Sequence, residues 1–313
     1  MQTRRSFFKT LGATGTGFVG ATTSASASST PEADNSQLAM LYDATRCIGC
    51  KACMAACKRV NTRAGALEVE QAAFDEDALW DAPAELSGKS RTIIKLHRDE
   101  EEWSFVKQSC MHCQKPSCVS ACPVKAMHKD PVTGIVQYSR DTCIGCRYCQ
   151  IACPFNIPKF QWDKNNPQIV KCDMCISTNL RDKGTTACAE ACSAGAILFG
   201  RRGDLLKEAH RRIERKPSRY YPKVYGEHEI GGTNHLYIAG LPFEKIGLPT
   251  LGTEAPATAS EEIQHTIYKG FFAPVALYAG LCAVAVRNMR RNGNGDPEPS
   301  GEDPGAADES AKR

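Results

Sequence analysis

Aromatic residues are scarce in this 313-residue chain, at 7% with three tryptophans, and the net charge is only +4. A chain so close to neutral carries no field suited to a polyanion, which excludes nucleic acid as a partner. The first 27 residues hold Arg4, Arg5 and Lys9 but no acid, and without these three cations the charge falls to about +1. Long apolar runs are missing from the middle of the chain, whereas glycine (25) and proline (17) are plentiful. Burial alone is a weak way to hold such a core, so covalent or metal cross-links are expected to share that role. Nothing in the residues offers hydride, proton or acyl chemistry. The length suits one large or two modest domains.

Cysteine is what the chain has in excess. Of its 17 cysteines, sixteen fall into four groups of four, and Cys282 is left over. The groups are Cys47, Cys50, Cys53, Cys57; Cys110, Cys113, Cys118, Cys122; Cys143, Cys146, Cys149, Cys153; and Cys172, Cys175, Cys188, Cys192. Disulfides, zinc and iron–sulfur clusters compete for them. Pairing cysteines two residues apart is strained and wastes most of the thiols. Zinc commonly takes two separated C-x2-C pairs, which leaves the third and fourth cysteines of a run such as "CIGCRYCQIACP" without a role. An Fe4S4 cube explains the run: C-x2-C-x2-C wraps three corners, and the fourth cysteine, expected to begin a helix leading away, ligates the other cluster of a pair.

Proline follows the fourth cysteine at Cys122-Pro123 and Cys153-Pro154, where it sets the chain direction; Lys58 and Ser193 stand there in the other two motifs. Each motif needs a partner, so four motifs give four 4Fe–4S clusters. Groups two and three are separated by twenty residues that include "GIVQYSRDTC", a short strand leading into Cys143, and they read as one compact unit. Groups one and four then form the second unit. On this reading cluster A is held by Cys47, Cys50, Cys53 and Cys192, and cluster B by Cys57, Cys172, Cys175 and Cys188. Cluster C is held by Cys110, Cys113, Cys118 and Cys153, and cluster D by Cys122, Cys143, Cys146 and Cys149. Iron is the metal at all sixteen.

The two ends carry addresses. "TRRSFFK" opens a basic and then weakly apolar stretch that closes on a small-residue site at Ala25-Ser26-Ala27, and it resembles a twin-arginine export signal over residues 1–27. Residues 270–286 form a seventeen-residue run without a charge, bracketed by Lys269 and Arg287, which fits one membrane span within 266–288 and makes membrane lipid a partner. Pro274 is expected in the first turn of that helix. Arg287, Arg290 and Arg291 follow the span, which leaves the tail 289–313, expected to be disordered, on the cytoplasmic side and the body outside.

The four motifs, with "MLYDATRCIGCKAC", "CMHCQKPSCVSACPV", "DPVTGIV", "CIGCRYCQIACPFNIPKF" and "IQHTIYKG", resemble the iron–sulfur electron-transfer subunits of molybdopterin-oxidoreductase and hydrogenase complexes. Members of that family use the crossed pairing set out above. The resemblance implies an α+β double ferredoxin-like domain with a pseudo-twofold repeat over residues 28–200, an extension over 201–265, and no catalytic residue of its own. A signal together with an anchor is similar to the hydrogenase branch; the formate dehydrogenase counterpart is anchored but usually lacks its own signal, and is the alternative. The hydrogenase resemblance implies nickel–iron large and small hydrogenase subunits as partners, and a multi-pass quinone-reactive membrane subunit.

Other features read as ordinary structure. His112 and His128 stand near the motifs but are expected in packing or solvent roles, because the ligand positions are filled. Cys282 reads as a small apolar filler. Residues 203–216 place Leu206, Ala209 and Ile213 on one helical face, as in a surface helix packed on the core. Residues 58–109 read as an insertion, and Tyr220, Tyr221 and Tyr225 as either loop packing or partner contacts.

Overall fold

Strand β1, Leu38–Asp43, reads "LAMLYD", and it is apolar along nearly its whole length because both of its faces are covered. A computed structural model describes residues 33–63, 85–99, 102–165 and 167–292. The expected export signal, residues 64–84 and most of the expected tail lie outside them. The chain divides into two units, residues 1–257 and 258–313.

In the first unit, β1 is the centre of a three-stranded sheet. It pairs antiparallel with β8 (Ile197–Arg201) and parallel with β9 (His235–Ile238). Successive β1 side chains leave on opposite faces. Ala39 and Leu41 meet Leu205, Leu206 and Ala209 of helix α6 (Arg202–Arg215). This is the helix expected at 203–216, and its apolar face lies on the sheet. Met40 and Tyr42 join the other core cluster, which contains Cys53, Cys110, Cys172 and Cys188. The sheet thus separates α6 from the cysteine-bearing layer.

Helix α1 (Ala52–Arg63) carries two cysteines of the first motif. Between the first and second motifs, residues expected as an insertion include a regular hairpin of β2 (Thr92–Asp99) and β3 (Glu102–Ser109), in register from Thr92↔Ser109 to Asp99↔Glu102. One-turn helices α2 (Ser117–Ser120), α3 (Tyr148–Ile151) and α5 (Ala187–Glu190) carry the later motifs, with α4 (Asn179–Lys183) inside the long gap of the fourth. The pairs β4 (Met127–Lys129) with β5 (Val136–Tyr138), and β6 (Lys159–Phe160) with β7 (Ile169–Val170), complete the unit. The strand expected before Cys143 is β5. Tyr220 and Tyr225 are buried; Tyr220 donates to Asp43 Oδ2 at 2.9 Å and Tyr225 to the Pro249 carbonyl at 2.7 Å.

Most of the second unit is helix α7, Pro256–Asn292. It begins fourteen residues before the expected apolar run, so Pro274 lies in its interior and not in a first turn, where it removes one backbone hydrogen bond. Val275, Leu277, Tyr278, Leu281 and Val284 are exposed, as is Cys282, which fills no core. Among the described residues no helix is long and apolar enough to cross a membrane.

Candidate iron–sulfur centres

The four motifs share one local design. The residue before the second cysteine is left-handed in every motif: Gly49 (φ 71°), His112 (46°), Gly145 (71°) and Met174 (52°). That turn points its amides inward, and the Gly145 and Met174 N–H groups donate to the Sγ atoms of Cys143 and Cys172 at 3.4 Å. The third cysteine, Cys53, Cys118, Cys149 or Cys188, is the second residue of a helix each time. The fourth does not begin a helix, contrary to expectation. Cys122, Cys153 and Cys192 lie two residues beyond the ends of α2, α3 and α5. Cys57 sits inside α1, which has Lys58 where proline would stop it and so runs on to Arg63. After those three fourth cysteines a second left-handed residue, Lys125, Asn156 or Gly195, turns the chain back. The Met127 and Ala196 N–H groups then reach Cys122 Sγ at 3.4 Å and Cys192 Sγ at 3.3 Å.

These turns gather the thiols into four groups, each with members from two motifs. Cys47 lies within electrostatic reach of Cys50 and Cys192, and Cys53 of Cys47 and Cys192. Cys57 has Cys172, Cys175 and Cys188 around it. Cys113 has Cys110, Cys118 and Cys153, and Cys149 has Cys122, Cys143 and Cys146. Between groups, Cys53 feels Cys188, Tyr237 feels both Cys172 and Cys110, and Cys118 feels Cys149. The order through the protein is therefore A, B, C, D.

Burial first, and neighbouring thiols after it, push these groups up. Cys53, Cys118 and Cys172 rise to about 12 and Cys149 to about 11, while Cys57 and Cys113 rise well above the usual thiol value. Four adjacent buried thiolates without a cation would repel one another, so each group favours protonated thiols until a metal replaces the protons. All seventeen cysteines are free of disulfides. Among the described residues no three Cys, His, Asp or Glu side chains converge closely enough to hold a single ion. Soft thiol donors, four to a group, with inward backbone amides, fit an iron–sulfur cluster.

Polar side chains surround group B. Asn61 Nδ2 lies 3.5 Å from Cys57 Sγ, and Arg91 forms a 2.6 Å ion pair with Asp173. Lys107 is fully buried; burial works against its charge, but Cys188, Cys172, Cys53 and Cys57 outweigh it and hold the ammonium above the ordinary lysine range. Nothing in the motif spacing marks these residues; Lys107 reads as an ordinary member of a β-hairpin. His112 packs as expected of it, fully buried and accepting from the Val136 N–H at 3.0 Å, whereas His128 is exposed.

Residues 46–126 and 101–202 each match a family of 4Fe–4S dicluster domains. These two matches support the double ferredoxin-like fold. Hydrogenase-2 operon protein HybA of Escherichia coli O157:H7 is 39% identical, over 96% of this chain and 98% of the relative. The nitrate-inducible formate dehydrogenase iron–sulfur subunit of Escherichia coli strain K12 is 32% identical, over 79% and 82%. The formate dehydrogenase iron–sulfur subunit of Haemophilus influenzae is 31% identical, over 80% and 79%. The chain belongs to the family of 4Fe–4S dicluster iron–sulfur proteins that includes HybA and the formate dehydrogenase iron–sulfur subunits.

Proposed function

We propose that this chain is a non-catalytic electron-transfer subunit that holds four 4Fe–4S clusters in thiol groups A to D and passes electrons from a periplasmic nickel–iron hydrogenase to a quinone-reactive membrane subunit. The observation that carries the reading is the collection of sixteen thiols into four groups, each drawing one thiol from a second motif. When bound, such clusters supply one-electron redox chemistry over a range of about −700 to +450 mV. The chain's own part is to hold the iron through cysteine, exclude water by burial, and aim backbone N–H groups at the sulfurs. With clusters bound in all four groups, the order A, B, C, D would be the path open to electrons, with hydrogen oxidation as their source and quinone as their acceptor.

The likeness to HybA over nearly the whole of both chains favours hydrogenase partners over formate dehydrogenase ones. The twin arginines Arg4 and Arg5 support export in the folded state, and the uncharged run 270–286 supports a single anchor with the body on the periplasmic side and the tail 289–313 in the cytoplasm. The test is a metal assay on the complex solubilised in mild detergent and isolated through this chain. Iron in excess together with nickel is expected. Molybdenum or tungsten without nickel moves the chain to the formate dehydrogenase side, and absence of iron overturns the cluster reading altogether.

A further inference from the structure

Lys107 stands where two thiol groups meet. Its side chain leaves β3 into the protein interior and is 1% exposed. It lines the same cavity as Cys57, Cys172, Cys175 and Cys188, the four thiols of group B. Its charge reaches Cys53 of group A as well as Cys57, Cys172 and Cys188. A lysine ammonium has three donors, and Lys107 gives one to Thr92 Oγ1 at 2.5 Å. A buried ammonium left short of acceptors is costly, so the sulfur-lined cavity is the natural recipient of the remaining donors.

The contrast lies in the same protein. Lys171 is also buried, but it donates to the carbonyls of Val136 at 2.5 Å and of Cys172 at 3.0 Å. Its donors go mainly to backbone. Arg91, which lines the same cavity, is neutralised by Asp173 at 2.6 Å. Among the described residues Lys107 has no carboxylate partner, so its charge is uncompensated by protein.

We propose that Lys107 is a fixed cation that raises the reduction potentials of the two clusters held by groups A and B, keeping that half of the relay easier to reduce than it would otherwise be. The inference rests on the cluster reading above. A reduced cluster carries one more negative charge than an oxidised one, so a nearby cation favours the reduced form, and the effect is strong where water is absent. Because the Lys107 charge reaches thiols of both groups, the two clusters shift in the same direction. Lys107, anchored by its hydrogen bond to Thr92, acts on the clusters through its charge and is a positioning residue for the potential.

The experiment is a redox titration followed by electron paramagnetic resonance on the intact detergent-solubilised complex, comparing the unaltered protein with Lys107→Met and Lys107→Arg. The methionine variant is expected to lower two of the centres assigned to this chain, with a tenfold or greater fall in their reduced-to-oxidised ratio at a fixed potential, equal to about 59 mV for one electron. The other centres and the iron content stay unchanged, and the arginine variant stays close to the unaltered protein. Full iron content with no centre or only one centre shifted, or an equal shift of all centres, overturns the proposal. If Lys107→Met loses iron, Lys107→Gln is read in the same way. Loss of iron from both, with Lys107→Arg loaded, also overturns it, because the cation then serves assembly and not potential. Absence of any 4Fe–4S signal from the unaltered protein sinks the cluster reading itself, a result distinct from all of these.

Discussion

Helix α1 puts Cys53 and Cys57 one turn apart, a rise of about 6 Å. Their surroundings nevertheless differ: Cys53 has Cys47 and Cys192 near it as well as Cys188, whereas Cys57 has Cys172, Cys175 and Cys188 and neither Cys47 nor Cys192. Two serine substitutions on a single helical turn should therefore remove two different clusters. With four equivalent clusters each loss takes about a quarter of the bound iron, so iron content alone does not tell the variants apart. The spectra do. Cys57→Ser should lose the same paramagnetic signal as Cys172→Ser, and Cys53→Ser the same signal as Cys192→Ser. Cys192 still ties the first motif to the last when Cys57 is altered, so the protein should stay folded and keep its other three centres. Identical spectra for Cys53→Ser and Cys57→Ser would refute the crossed arrangement, and with it the order A, B, C, D.

Three further outcomes follow from the same geometry. Gly49 and Gly145 share φ 71°, so alanine at either costs about 1 kcal/mol for the left-handed backbone. The new methyl at Gly49 would overlap the Phe105 ring, whereas at Gly145 it meets Phe160 only at 3.8 Å. Gly49→Ala should therefore cost about 1–3 kcal/mol more than Gly145→Ala in denaturant unfolding; equal losses would count against the packed turn. Asp43 is fully buried and accepts from the Thr45 N–H and hydroxyl, Tyr220 and Arg212, so Asp43→Ala should destabilise by about 2–4 kcal/mol in the same assay. Burial holds His235 well below the usual histidine value, so the folded protein keeps it neutral while the unfolded chain protonates. Stability contributed this way is complete above about pH 6.5 and falls as pH drops below it, by up to about 1.4 kcal/mol per pH unit. His235→Gln should flatten that slope, and an unchanged slope would show that another group governs it.

The cysteine motifs are legible because their ligand spacing is local: two intervening residues dictate a left-handed turn whether Gly49 or Met174 occupies it. The helix at 203–216 is legible for the same reason, since its apolar face repeats within the segment. Contacts made across long sequence separations are not. β9 joins β1 from almost 200 residues away, and only tertiary pairing defines it as a strand beside Met40. The β2–β3 hairpin has the alternation of a strand pair, but the long gap between motifs reads first as an insertion. Lys107 is invisible for a deeper reason: its importance lies in the thiols brought to it by folding, and its neighbours in sequence say nothing of them. The apolar run alone suggests a short helix with Pro274 in its first turn, whereas α7 begins at Pro256 among charged and polar residues.

Nesting of the second and third motifs inside the first and fourth sets the order in which the thiol groups can be complete during synthesis. Groups C and D draw every thiol from residues 110–153, and they are complete as soon as that stretch has left the ribosome. Groups A and B must wait for residues 172–192, so Cys47, Cys50, Cys53 and Cys57 stay without their last partners while more than a hundred further residues are made. A chain shortened after residue 160 would retain one finished pair of groups and leave four orphaned thiols at its amino-terminal side.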